Sequence, residues 1–123
     1  MRGKRRGVSS RGSDVSFGEY GLKATESGWV SANQIEAARV SLSRETRKGG
    51  KLWIRVFPDK PITSKGAEVG MGGGKGDVTN YVVVIRPGRV MFEISGVTRE
   101  VAVYALTQAG FKLSVATRVV FRD

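Results

Sequence analysis

Residues 31–57 read SANQIEAARVSLSRETRKGGKLWIRVF, and this stretch sets the fold class. Ser31 with Gln34 three residues on forms an S-x-x-Q capping box, in which two otherwise orphaned backbone N–H groups are satisfied reciprocally. Ile35, Ala38 and Leu42 then recur at three- and four-residue spacing, one face of an amphipathic helix. Gly49-Gly50 ends it, so the helix is expected over about Ala32 to Lys48. The period then changes from 3.6 to 2. Leu52, Ile54 and Val56 alternate with Lys51, Trp53, Arg55 and Phe57, which predicts a strand over Lys51 to Phe57 with one aliphatic face. Pro58-Asp59-Lys60-Pro61 is expected to stop that strand, because proline cannot donate to a ladder.

Working outward, Phe17 to Ala24 reads as a first strand. Residues 64–77 form a Gly-rich loop, with six glycines between Gly66 and Gly76. Val78 to Arg86 is a strand whose continuous apolar stretch suits a central place in a sheet. Pro87-Gly88 reads as a turn, and Arg89 to Ser95 as the returning arm of a hairpin. Thr98 caps a second helix to about Ala109, with Gly110 as its stop. Alternation from Phe111 to Phe121 gives a last strand. The order strand, helix, strand, Gly-rich loop, hairpin, helix, strand leaves two helices for four or five strands. The expected fold is therefore an α/β (α+β) two-layer sandwich: a mixed, mainly antiparallel sheet, both helices on one face, the other face left for a partner. No repeat or linker divides the chain, so residues 1–123 are read as one domain.

Composition narrows the function. The chain has 123 residues, 21 Lys and Arg against 11 Asp and Glu, a net charge of +10, no Cys and no His. Without Cys there is no disulfide scaffold, thiolate zinc site or Cys nucleophile. Without His the usual general base, the commonest metal ligand and any Ser-His-Asp triad are gone. The apolar runs, such as Tyr81 to Ile85, are far short of the ~20 residues of a spanning helix. No secretory signal follows the basic start. The protein is expected to work where it is made, with no membrane partner, metal, cofactor or small-molecule substrate.

The cations are clustered. Arg2, Lys4, Arg5, Arg6 and Arg11 precede the first acid, Asp14, with Gly and Ser between them. A segment of this composition buries nothing by itself and reads as a basic arm, residues 1–13, for a polyanion. A second cluster comprises Arg39, Arg44, Arg47, Lys48, Lys51 and Arg55. Complementing the helix dipole, worth about 0.3–1 kcal/mol per cation, explains Arg47 and Lys48 but not Arg39, Lys51 and Arg55. Such an excess suits nucleic acid. Trp53 and Phe57 beside Lys51 and Arg55 either stack on bases or pack against a loop.

Nucleotide-binding motifs fail. Gly70 to Gly74 is one residue too short for G-x-x-x-x-G-K, and Gly76 stands where Ser or Thr must hold magnesium. G-x-G-x-x-G fails at Lys75. Asp59, Glu68, Asp77, Glu93 and Glu100 are scattered and form no evident catalytic pair. The loop's exposed backbone N–H groups, flanked by Lys65 and Lys75, suit a phosphate backbone passing close by.

The runs GSDVSFG (12–18), YGLKA (20–24), QIEAAR (34–39), WIRVFPDKPIT (53–63) and MGGGKG (71–76) are distinctive together. PGRV (87–90), Phe92-Glu93 and Gly96-Val97 continue in register. The whole chain resembles the bacterial-type large-subunit ribosomal protein L-sixteen family, with its archaeal and eukaryotic L-ten-e relatives. The resemblance implies a structural component, not an enzyme. It would bind large-subunit rRNA near the central protuberance, support late subunit assembly and lie beside neighbouring ribosomal proteins. The loop Met71, Gly72, Gly73, Gly74, Lys75, Gly76 would reach toward A-site and P-site tRNA. The basic arm, Arg39, Arg55 and Lys60 carry over as RNA-facing positions. The setting implied is the ribosome of a bacterial cytoplasm, or else of an organelle. Gly70 replaces the family's usual Arg and Gly73 a common basic residue; Ser114 and Ala116 stand for Pro and Lys, and the arm starts later. These departures bear on tRNA contact more than on ribosomal membership. A free-standing RNA- or DNA-binding regulator and an enzyme using Lys75 are the rival classes.

Overall fold

The computed structural model describes residues 13–58, 60–63 and 78–122. The basic arm to residue 12, Asp59 and the Gly-rich loop 64–77 lie outside the described residues. The elements are β1 (Tyr20–Ala24), β2 (Gly28–Ser31), α1 (Ala32–Thr46), β3 (Lys51–Ile54), β4 (Lys60–Thr63), β5 (Val78–Ile85), β6 (Val90–Ser95), α2 (Arg99–Gly110) and β7 (Thr117–Phe121). They form a four-stranded sheet, β3-β6-β1-β7, and a three-stranded sheet, β2-β5-β4. Every pairing is antiparallel.

The capping box is present as expected. The Gln34 backbone N–H donates to Ser31 Oγ at 3.2 Å, and Ser31 N–H donates to Gln34 Oε1 at 3.0 Å. Ile35, Ala38 and Leu42 are buried on one side of α1, as read. After the helix Gly49 takes φ +109°, a left-handed turn that disfavours side chains with a Cβ. In α2 the buried set is Ala102, Ala105, Leu106 and Ala109. The two helices pack on each other, α1 also against β3 and the three-stranded sheet, α2 against β1 and β7. The side chains they cover are fixed by strand register: Leu22 and Ile54 flank Phe92, while Tyr20 and Leu52 flank Ile94. Leu22, Phe92 and Ile94 are fully buried in the core. Each such side chain contributes roughly 1.5–3 kcal/mol by leaving water.

Four local expectations are corrected. First, β1 begins at Tyr20, not Phe17. Residues 14–18 are a strap across the sheet, because the N–H groups of Ser16, Phe17 and Gly18 are claimed by a side chain rather than a strand. Second, the strand from Lys51 ends at Ile54, and Lys60 to Thr63 is itself a strand that pairs with β5. Pro61 is tolerated because β4 is an edge strand, where a missing N–H costs no central ladder bond. Third, β5 and β6 are not a hairpin. They lie in different sheets, and the Pro87-Gly88 turn carries the chain between them. That turn is tied to β1: Gly88 N–H donates to Ala24 O and Ala24 N–H to Arg89 O, both at 2.8 Å. Fourth, the last strand starts at Thr117. Phe111 caps α2 in right-handed helical geometry, and residues 112–115 turn. β5 does occupy the centre of its sheet, and the short strand β2 at its edge had no expectation.

Candidate nucleic-acid interface

The helix-free face of the four-stranded sheet is built around one carboxylate. Alternation in β6 turns Phe92 and Ile94 toward the helices and Glu93 away from them. Glu93 is nonetheless fully buried. The strap covers it, and the N–H groups of Phe17 and Gly18 both donate to Oε1 at 2.7 Å. Ser16 N–H reaches both carboxylate oxygens at 3.1 Å. Arg55 Nη1 donates to Oε2 at 2.5 Å and to the Asp14 carbonyl at 2.6 Å. Burial pushes the Glu93 carboxyl up, but the N–H groups of Gly18, Ser16 and Phe17 and the Arg55 guanidinium outweigh it and hold it below 4.5.

Small residues let the strap lie close. A Cβ on Gly18 would stand 2.6 Å from the Ile94 carbonyl oxygen and 3.0 Å from the Trp53 ring. Phe17 stacks on Trp53 with centroids 6.3 Å apart, and Arg55 lies 5.4 Å from the centre of the Phe17 ring. Trp53 is thus engaged by the strap, while Phe57 is 67 % exposed. The strap therefore roots the basic arm, which begins immediately before it.

The second basic cluster divides. Arg44, Arg47, Lys48 and Lys51 are exposed around the end of α1 and the start of β3, and none makes an ion pair with a described residue. Arg39 is paired with Glu36 one turn earlier, Nη2 to Oε2 at 2.6 Å. That hydrogen bond, with the charge behind it, lowers the Glu36 pKa and raises that of Arg39. Arg55, read from sequence as an RNA-facing cation, is only 16 % exposed and has its charge balanced by Glu93. Lys60 is placed by its backbone in β4, opposite Val82. Arg2, Lys4, Arg5, Arg6 and Arg11, and the loop from Met71 to Gly76, lie outside the described residues.

The sequence reading missed a third group. Lys23 on β1 and Arg118 on β7 are direct cross-strand partners, and Arg122 follows at the end of β7. They share a shallow concavity with Ser13 and Asp14 at the arm's root. The available signal was the alternation of Arg118 with Val119 in a strand that ends in another arginine, but only the fold brings it to Lys23. Among the described residues no three acidic side chains converge to hold a metal, and no helix is long and apolar enough to cross a membrane.

The family described as Ribosomal protein L16p/L10e matches residues 1–120. The chain is 55 % identical over 123 residues to a protein of Thermus thermophilus named "Large ribosomal subunit protein uL16". The match covers all of this chain and 87 % of that relative.

Proposed function

The chain belongs to the ribosomal protein L16p/L10e family, a family of structural proteins and not of enzymes, and from that premise we propose that it is an rRNA-binding constituent of the large ribosomal subunit. The observation that carries the reading is the row Arg44, Arg47, Lys48 and Lys51, exposed around the end of a capped helix and the start of a sheet strand and making no ion pair with a described residue, within a chain of net charge +10. Cations held on rigid elements neutralise phosphates and release counterions, so affinity falls steeply with salt. Most contacts are to phosphate and 2′-hydroxyl groups, which read RNA shape rather than base sequence.

The finer reading places the protein near the central protuberance, in contact with rRNA and neighbouring ribosomal proteins. Its loop from Met71 to Gly76 faces A-site and P-site tRNA, and its docking supports late subunit assembly. The setting is the bacterial cytoplasm, with an organellar ribosome as the alternative. Co-sedimentation tests the core of the proposal: stoichiometric presence in large subunits after a high-salt wash supports it. Absence there returns the protein to the class of free-standing RNA-binding regulators.

A further inference from the structure

Resting on the RNA-binding reading above, we infer that Lys23, Arg118 and Arg122 form a second RNA-backbone site on the helix-free sheet face, continuous with the root of the arm. Lys23 and Arg118 are opposed residue for residue on antiparallel neighbours. Like charges directly opposite one another are destabilising in a sheet, and an anion beside both relieves the repulsion by Coulomb attraction. No acid relieves this pair: neither residue makes an ion pair with a described residue. The Arg122 Nη1 donates to the Gly18 carbonyl at 3.3 Å, and Arg122 makes no ion pair with a described residue.

The shape matches the charge. The three cations line a concavity of about 530 Å³, and Asp14 is the one acid among its described lining residues. At 3.3–3.4 Å per residue, Arg118 and Arg122 are roughly 13 Å apart along the strand. One inorganic phosphate cannot bridge that span, whereas a polynucleotide backbone presents successive phosphates along it. Lys23 sits across from the first of them. The strap's route adds the direction: Ser13 lines the same concavity, so an arm leaving from Ser13 starts beside these cations. The site lies on the face opposite the helices, distinct from the row at the end of α1.

Two measurements on the full chain test this. The first is the salt dependence of binding to large-subunit rRNA, for the unaltered protein, for K23Q/R118Q/R122Q, and for R44Q/R47Q/K48Q as a reference. A lowering of the slope of log K against log salt by about 2–3 units in the first variant supports the site. An unchanged slope, with the reference variant lowered, overturns it while leaving the rRNA-binding reading intact. Should the unaltered protein itself show no salt-dependent binding, the underlying reading fails instead.

The second measurement leaves all three cations in place, so that misfolding of the triple variant does not decide the matter. The chain has no cysteine, so V120C gives a single attachment point for an iron–EDTA cleavage reagent between Arg118 and Arg122. Hydroxyl-radical cuts in rRNA after reconstitution of large subunits support the site. Incorporation of the tethered protein without any cut overturns it.

Discussion

Glu93 and Arg55 meet at 2.5 Å on the sheet face away from the helices, and through them a segment from the far end of the chain is fastened to the sheet. The carboxylate is fully buried yet accepts from three consecutive backbone N–H groups as well as from the guanidinium. Burying a charge is costly unless it is paired and hydrogen-bonded. Here both conditions hold, so the pair serves position more than net stability. Arg55 in turn holds the Asp14 carbonyl. The strap is therefore gripped at both of its ends, which fixes where Asp14 lies on the sheet.

Glu93→Ala is expected to destabilise the fold by about 3–5 kcal/mol, because it strands a partly buried guanidinium and orphans the strap's N–H groups. Glu93→Gln retains one carbonyl acceptor, and its cost is about 1–3 kcal/mol. Chemical denaturation of the three proteins checks the ranking. Equal stability of all three would mean that the strap is not held by this carboxylate.

Acid sensitivity follows from the same group. Its folded pKa lies below the ordinary carboxylate value of 4.5. A depressed folded pKa contributes stability that is present above the unfolded value and lost as pH falls through the folded one. Thermal melts from about pH 5 downward are expected to show a steeper loss of Tm for the unaltered chain than for Glu93→Gln. Parallel curves would assign the acid response to other carboxylates.

Gly18 tests the strap by size alone. A methyl group there meets the Ile94 carbonyl at 2.6 Å and the Trp53 ring at 3.0 Å, and a backbone oxygen is not a flexible side chain that swings aside. Overpacking of this kind costs about 1–3 kcal/mol. Gly18→Ala is expected to raise the rate at which a protease cuts residues 13–18, with the helix content by circular dichroism unchanged. Unaltered proteolysis would show that the strap tolerates the displacement.

What the sequence disclosed was local. Ser31 with Gln34, the Ile35–Ala38–Leu42 face and the strand alternation after Lys51 all depend on neighbours within a few residues; the structure has the first two, and the strand over Lys51 to Ile54. The two-layer α/β class follows from their order, and the family resemblance from runs spread over the chain is matched by the family shown for residues 1–120. What stayed hidden was pairing at a distance. Pro87-Gly88 reads as a hairpin turn, but the partner of β5 is β4, whose strand character Pro61 disguised. Glu93 counted among scattered acids because its partners lie 38 to 77 residues away. Its one local signal was a carboxylate amid Met91, Phe92 and Ile94. The Arg55–Glu93 pair was hidden for the same reason, whereas the Arg39–Glu36 pair was readable from i,i+3 spacing.

The arm makes a prediction of its own. Removing the residues before Ser13 takes away Arg2, Lys4, Arg5, Arg6 and Arg11 while leaving the strap and Glu93 untouched. The salt slope of rRNA binding is then expected to fall by roughly 3–5 units, with no change in Tm. A constant slope would mean that these cations do not meet phosphate.

The loop from Met71 to Gly76 separates docking from decoding. Its base is closed by β4 and β5, with Thr63 opposite Val78. That pairing belongs to the sheet and does not depend on the loop's length. Shortening a loop of this size by three residues changes its closure entropy by only about 0.2 kcal/mol. Deleting Gly72 to Gly74 is therefore expected to leave folding and rRNA binding close to normal. If Lys75 and the neighbouring backbone face tRNA, the same deletion slows tRNA accommodation, because the loop no longer spans the gap. Stopped-flow accommodation on reconstituted ribosomes measures this. A normal rate with the deletion incorporated stoichiometrically removes the tRNA-facing role and leaves the protein as a binder of rRNA alone.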